Sequence, residues 1–336
     1  MPFAKDKPLV IGVTDYVKPP YDIEKSAFDF DVELHNLRSE SSQNLDFNLL
    51  KECNAILAWN AIIDKNVINH LINCKLVVRY GVGFDAIDLD TLNSVSIPLC
   101  NTPDYGTEEV ADTAVAMVLS LHRSLFKYNH ISKAEKNCWE GNTYEPLKRS
   151  NKLSIGVIGV GRIGTAVINR LKAFGFEIIG FDPYQPSGHE KAVGYKRVEN
   201  LDNLLESSDI VTLHMPLTNE TRNLVDYNFI NKMKKGSILV NTARGKLVKD
   251  LDCIYEALKS EHLKAVALDV LPQEPPSKHQ LLDSWRMSEP WLRGRLIINP
   301  HSSYFSLEAW HEMRFKAAET IYRYFKFGTL RNQIIK

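Results

Sequence analysis

Residues 154–182 read SIGVIGVGRIGTAVINRLKAFGFEIIGFD. The apolar run from Ile155 to Ile158 is strand-sized and bounded by small residues, which predicts a buried parallel strand. Gly159, Gly161 and Gly164 follow at G-x-G-x-x-G spacing. A helical pattern comes next, with Ile163, Ala166, Val167, Leu171 and Phe174 on one face. A second apolar run, Glu177 to Phe181, ends at Asp182. Each part has a physical task. Gly159 permits a tight turn, Gly161 admits a pyrophosphate to the backbone, and Gly164 lets helix and strand pack closely. The helix N-terminus faces the phosphate charge. Asp182, about 20 residues on, can accept the ribose hydroxyls of NAD. Its charge would repel the 2′-phosphate of NADP, and Pro183, Tyr184 and Gln185 bring no compensating cation. The cofactor read from this stretch is NAD.

The chain around it has 336 residues, enough for two domains with separate cores. Hydrophobic residues make up 44% and charged residues 24%, as in a soluble globular protein. Forty-one basic residues balance 41 acidic ones, which points to neither a nucleic-acid nor a membrane partner. The longest apolar runs are strand-sized, too short for a transmembrane helix. The opening MPFAKDKPLVIGV reads as a first strand and not as a signal peptide. Cys53, Cys74, Cys100, Cys138 and Cys253 are scattered and show no metal-ligand spacing. Reduced thiols and a cytoplasmic location are expected, with no metal site.

Before the fingerprint, short strands alternate with helices. Strands are expected at Leu9–Val13, Asp31–Leu34, Ala55–Trp59, Leu76–Arg79 and Ile97–Cys100. This alternation implies a parallel sheet with helices on its faces. The fourth strand runs into Tyr80-Gly81-Val82-Gly83, a loop whose amides can face an anion or form a plain turn. Thr107 to Leu121 is a strongly apolar helix with Glu108 and Glu109 in its first turn. It is expected to lie buried between domains or subunits. Phe126 to Ser150 is polar and reads as a linker or exposed excursion. After the fingerprint come strands at Asp209–Leu213, Ser237–Val240, Ala265–Leu268 and Leu296–Ile298. Ser306 to Phe327 reads as one long helix, with Ala309, Met313, Phe315, Ala317, Ile321, Tyr324 and Phe325 at its buried positions.

In an open α/β sheet the ligand lies outside the carboxyl ends of the strands. Arg244, Asp269 and His301 all fall there, and Glu274 follows Asp269 in a Pro-rich turn. Arginine can hold a carboxylate and polarise a ketone with its planar fork of donors. Histidine can exchange a proton with the resulting alkoxide, and a carboxylate on its other nitrogen fixes the tautomer and favours the imidazolium. Each residue also has an ordinary structural reading, as a cap, a turn residue or a surface ion pair.

The blocks GVIGVGRIGTAV through FDPY, LVNTARGKLV, ALDVLPQEP and INPH resemble the D-isomer-specific 2-hydroxyacid dehydrogenases over essentially the whole chain. RYGVGFDAID, EEVADTAV, AFGFEIIGFDPY and VTLHMPLTNETRNLV are similar to the C-terminal-binding-protein branch, as is the Met313-Arg314 to Ala317-Ala318 portion of the last helix. The resemblance implies an α/β fold of two Rossmann-like, doubly wound domains with parallel sheets and a cleft between them. A flavodoxin-like substrate domain would comprise residues 1–103 and 304–336, and a dinucleotide domain residues 104–303. It implies Arg244, Glu274 and His301 as catalytic residues. Substrate contacts would fall on Arg79, Val82, Gly83 and Tyr304. Cofactor contacts would fall on Gly159, Gly161, Arg162, Ile163, Gly164 and Asp182, and on His214, Pro216, Thr242, Ala243 and Asp269. It also implies a homodimer formed near the Thr107 helix.

The activity implied is NAD-dependent interconversion of a 2-keto acid and a D-2-hydroxy acid. An NAD(H)-sensing, corepressor-like binding protein and a phosphoglycerate dehydrogenase are the alternatives. Glu274 stands where the formate dehydrogenase branch has an amide. Two features depart from the pattern. Tyr304 stands where the C-terminal-binding proteins have tryptophan, which leaves substrate preference open. The segment from Lys278 to Arg295, containing Trp285 and Trp291, is longer than usual and has no role assigned by the resemblance.

Overall fold

The computed structural model describes residues 7–15, 17–38, 45–134, 139 and 146–335. The chain divides into two compact units, Met1–Gly106 with Phe305–Lys336, and Thr107–Tyr304.

The first unit is built on β1 (Leu9–Val13), β2 (Val32–Asn36), β3 (Ala55–Ala58), β4 (Leu76–Arg79) and β5 (Leu99–Asn101). They pair in parallel in the order β2-β1-β3-β4-β5. Leu9, Ile11, Ala55, Leu57, Leu76 and Val77 are fully buried, because helices cover both faces of such a sheet. Short helices after these strands begin at Asp46, Asp64 and Asp88, whose carboxylates accept first-turn N–H groups. A short strand near the C-terminus (Gln333–Ile335) adds antiparallel to β5.

The long helix Leu307–Phe327 belongs to this unit. Ser306 caps its start through Ala309 N–H, and Gly328, at φ 67°, ends it. Ala309, Met313, Ala317 and Ile321 are buried as their spacing predicts. Phe315, Tyr324 and Phe325 are only half-buried, while Arg314, Ala318 and Thr320 take the interior positions. Arg314 can lie there because Glu24, itself fully buried, accepts from its Nε at 2.7 Å and its Nη2 at 2.6 Å. The Tyr80 hydroxyl donates to the same carboxylate at 2.9 Å. Burial, then the Glu24 charge, holds that phenol well above its ordinary value, so it stays a donor. One buried carboxylate thus ties the first helix, the last helix and the chain leaving β4.

In the second unit the strands are β6 (Ser154–Ile158), β7 (Glu177–Phe181), β8 (Lys196–Arg197), β9 (Ile210–Leu213), β10 (Ser237–Asn241), β11 (Leu263–Leu268) and β12 (Leu296–Ile298). Their order is β12-β11-β10-β9-β6-β7-β8, and every pair is parallel. The strand order reverses between β6 and β9, beside the fingerprint turn, and such a switch point is where open α/β sheets take ligands at their carboxyl ends. The fingerprint helix runs from Arg162 to Ala173, with Gly164, Val167, Ile168 and Leu171 inside. Phe174 is not on its buried face. It lies one residue past the last turn and is 48% exposed, and Ile168 fills the expected apolar position.

Two further expectations change. The helix Thr107–His122 is buried within the second unit itself. Ala111, Ala114, Val115, Val118 and Leu121 share one core with Val157, Val160, Val167, Ile168 and Leu171. Its apolarity therefore needs no partner to explain it. Leu125–Ala134 forms a helix where the polar composition had read as linker. No Gly or Pro interrupts that stretch, so the backbone has no reason to break. Of the rest of the expected excursion, 135–138, including Cys138, and 140–145 lie outside the described residues. The Lys278–Arg295 segment folds as a helix (Gln280–Arg286) and a short 3₁₀ turn (Pro290–Leu292). Leu281, Leu282 and Leu292 enter the core. Arg295 donates to the carbonyls of Leu258, Leu263, Lys264 and Trp291, closing the ends of a helix and a strand. Its role is packing over the sheet's β12 side.

Replacing Glu24 by Gln leaves the Arg314 cation buried without its counter-charge. Urea unfolding of Glu24→Gln is expected to show about 3–5 kcal/mol less stability than the parent. An unchanged midpoint would remove the pair from any account of this unit's stability.

Candidate active site

The fingerprint turn has the geometry its spacing demands. Gly159 has φ 87°, and a Cβ there would lie 2.7 Å from the His214 backbone. A Cβ on Gly164 would lie 2.0 Å from Gly159 O, so helix and turn touch only because that residue is glycine. A Cβ on Gly161 would meet nothing within 4 Å. That open space lies at the first turn of a twelve-residue helix whose N-cap, Gly161, offers no side-chain acceptor. It leaves a cradle of N–H groups at Arg162, Ile163 and Gly164, suited to a pyrophosphate.

Asp182, at the end of β7, is half-buried. Its Oδ2 accepts from Val160 N–H at 2.8 Å and its Oδ1 from Tyr184 N–H at 3.0 Å. The carboxylate is thereby fixed over the turn, with lone pairs left for ribose hydroxyls. His214 follows β9 and bonds Thr212 Oγ1 through Nε2 at 2.9 Å. Burial pushes the ring down to about 3, so it is neutral. Its Nδ1 and the buried Thr242 Oγ1 have no hydrogen-bond partner among the described residues. Buried polar atoms are rarely left so, and both belong to residues expected to border a cofactor. The donor set and the open cradle fit a dinucleotide.

At the end of β10, Asn241 is fully buried and knots the next loop. Its Nδ2 donates to Arg244 O at 2.9 Å, and its Oδ1 accepts from Ala243 N–H at 3.0 Å. Gly245 comes so close to Leu271 that a Cβ would lie 1.8 Å from that carbonyl oxygen. This contact draws the Pro-rich turn carrying Glu274 against the loop carrying Arg244. Arg244 Nη1 also donates to Ala243 O at 2.8 Å.

Glu274 is held from two sides. Oε1 accepts from Leu271 N–H at 2.7 Å, and Oε2 lies 2.7 Å from His301 Nδ1. Burial raises this carboxyl, but the His301 bond and charge, the Leu271 N–H and the Arg244 charge outweigh it and hold it below the usual carboxylate range. The engaged Nδ1 leaves His301 Nε2 as the ring atom available to a ligand. Tyr304 sits edge-on to the imidazole, with ring centres 6.5 Å apart.

His301 has φ 54°, a left-handed conformation uncommon for a residue with a side chain. Asp269 explains how it is kept. His301 N–H donates to Asp269 O at 2.8 Å. Ser302 N–H donates to Asp269 Oδ1 at 2.9 Å, and Ser303 N–H donates to both carboxylate oxygens at 3.2 and 3.1 Å. Asp269 is 2% exposed and anchors the histidine turn, a task that the sequence reading did not foresee. Asn241 was missed as well. Its signal was an amide directly at a strand's carboxyl end, ahead of the Thr242-Ala243-Arg244-Gly245 loop.

Arg79, Val82 and Gly83 lie in the first unit, Arg79 as the last residue of β4 and the two others in the loop leaving it. The Arg79 guanidinium stands 5.7 Å from the Trp59 ring centre. Thr102 Oγ1 donates to Arg79 O at 3.1 Å, and Asn101 Nδ2 donates to Val82 O at 2.7 Å, so the loop is pinned from β5. Pro216 is exposed, and its carbonyl accepts from Thr221 Oγ1 at 2.7 Å. Among the described residues no three His, Cys, Asp or Glu side chains group as around a metal ion, and no helix is long and apolar enough to cross a membrane.

Residues 115–303 match the D-isomer specific 2-hydroxyacid dehydrogenase, NAD binding domain. The chain belongs to this family, and its second unit contains the NAD-binding domain. Over 220 residues, 66% of this chain and 41% of the relative, it is 36% identical to a D-3-phosphoglycerate dehydrogenase of Methanocaldococcus jannaschii. Over 293 residues, 84% of this chain and 39% of the relative, it is 31% identical to C-terminal-binding protein 1 of Caenorhabditis elegans. It spans less than half the length of these curated relatives. The crystal structure of the D-lactate dehydrogenase of Aquifex aeolicus, complexed with NAD and lactic acid, matches with a TM-score of 0.80 at 26% identity. That match covers 94% of this chain and 95% of the other.

Proposed function

We propose that this protein is an NAD-dependent oxidoreductase that interconverts a small 2-keto acid and the D-2-hydroxy acid. The observation that carries the proposal is the 2.7 Å contact between Glu274 and His301 Nδ1, on a turn that Asp269 anchors. NADH, when bound, would supply a hydride to the ketone carbon. Arg244 polarises the ketone and holds the adjoining carboxylate. Val82 and Gly83 offer amides to the same carboxylate, Arg79 adds a cation, and Tyr304 contributes an aromatic wall. His301 Nε2 delivers the proton to the alkoxide oxygen in reduction and removes it in oxidation. The ionised Glu274 holds Nδ1–H and offsets the positive charge on the ring.

On the cofactor side, the amides of Gly161, Arg162, Ile163 and Gly164 take the pyrophosphate, and Asp182 takes the ribose. His214 and Pro216 border the adenosine. Thr242 and Ala243 would border the nicotinamide, and Asp269 would meet its amide. The first unit is the substrate domain in this reading and the second the dinucleotide domain. The buried free thiols Cys53, Cys74, Cys100 and Cys253 support a reducing, cytoplasmic location.

A homodimer through the second unit is part of the proposal. The helix after Thr107–His122 exposes Leu125 at 55% and Phe126 at 51%, and Trp139 is 78% exposed. Apolar residues presented this way fit a self-association surface. Light scattering at micromolar concentration should give twice the chain mass, and a monomer would contradict it.

The functional test is NADH oxidation with a panel of 2-keto acids, including phosphorylated ones because of the likeness to a phosphoglycerate dehydrogenase. At least one keto acid should turn over. His301→Ala should lose about 10²–10⁴ in rate while NADH still binds. A protein that binds NADH and reduces none of the panel would favour the second reading, an NAD-responsive binding protein similar to C-terminal-binding protein 1. Near-normal turnover in His301→Ala would remove the histidine from the proton-transfer role.

A further inference from the structure

Two exposed loops of the second unit are joined across the fingerprint. Tyr184, two residues after Asp182, donates its backbone N–H to Asp182 Oδ1 and its phenol to Glu220 Oε2. Glu220 lies in the loop after β9. In the sheet β6 stands between β9 and β7, so this bridge runs from one flank of the Gly159 turn to the other. The Glu220 loop is itself well held. Thr218 N–H donates to Thr221 Oγ1 at 2.8 Å, and Thr221 Oγ1 donates to Pro216 O at 2.7 Å. The Tyr184 phenol lies above its ordinary value, first through the Glu220 hydrogen bond, then through the charges of Glu220 and Asp182. Two carboxylates therefore act on one hydroxyl at the adenosine end. The cation Arg197, on β8, donates to Gln185 O at 2.9 Å and has its charge matched by Glu199 at 2.7 Å.

We propose that Glu220, oriented by Tyr184, is a second determinant of NAD over NADP, acting beside Asp182 as a like charge toward a 2′-phosphate. The inference rests on the NAD reading above. The phosphate of NADP brings nearly two negative charges into a region that already holds two carboxylates. Such charges act within a Debye length, about 8–10 Å in physiological salt. Removing Asp182 alone leaves Glu220 in place, so Asp182→Ser should retain part of the discrimination. Glu220→Gln isolates the charge, because its amide oxygen still accepts from the Tyr184 phenol.

The test is the ratio of NADPH to NADH dissociation constants, read from nucleotide fluorescence on the full chain. Glu220→Gln should lower that ratio about three- to tenfold, with a further fall when combined with Asp182→Ser. The effect should shrink in about 1 M salt, where the Debye length is about 3 Å. A ratio unmoved by Glu220→Gln, in both the parent and the Asp182→Ser background, overturns the inference and leaves the NAD reading intact. A parent protein that binds neither nucleotide overturns the NAD reading, and this inference with it.

Discussion

The site of this protein depends on one buried carboxylate gathering a turn. His301 stands at φ 54°, where a side chain crowds its own backbone. It stays there because Asp269, at the end of β11, accepts from Ser302 and Ser303 N–H, and its backbone carbonyl accepts from His301 N–H. Strain of this kind persists only where the surroundings over-determine it. Here the surroundings are a parallel sheet and a carboxylate that is almost wholly buried. The ring that results is aimed at Glu274 by backbone geometry and not by surface chance.

The same logic of close approach governs the other loops at that sheet edge. Gly164 against Gly159, and Gly245 against Leu271, are contacts that any side chain would forbid. The first brings a helix N-terminus to the turn where phosphate charge can sit. The second presses the Arg244 loop onto the turn that carries Glu274. Asn241, with no exposed surface, ties its strand to the Arg244 loop from within. Rigid packing around these points holds the side chains at this sheet edge in place.

Much of this was legible in the sequence because it is local. Apolar runs of four to six residues ending in Asp182, Asn241 or Asp269 gave the strands and their carboxyl ends, and the glycine spacing gave the turn. Arg244, Glu274 and His301 could be grouped because each follows a strand of one sheet. Less was legible where long-range contacts decide. The Thr107 helix looked apolar enough for an interface, yet the fingerprint helix and sheet of its own unit cover it. Arg314 is not among the apolar positions of the long helix, yet Glu24, 290 positions away, holds it inside. Phe174 fits a helical stripe by spacing, but the helix ends one residue before it. Polar composition hid the helix from Leu125, because composition reports solvent contact and not backbone shape.

The central claim is that Glu274 poises His301 as the proton carrier, and the pH dependence of Glu274→Gln tests it most directly. Glu274 is held below the usual carboxylate range, so it stays ionised through neutral pH, with its charge 2.7 Å from His301 Nδ1. Glutamine can still hold Nδ1–H but carries no charge. Reduction needs the protonated ring and fails as pH rises, so that limb should move to lower pH in the variant. Oxidation needs the neutral ring and fails as pH falls, so its limb should move down as well. Parallel downward shifts of both limbs are the result the account predicts. Profiles that overlay those of the parent in both directions would contradict it and separate Glu274 from the proton transfer.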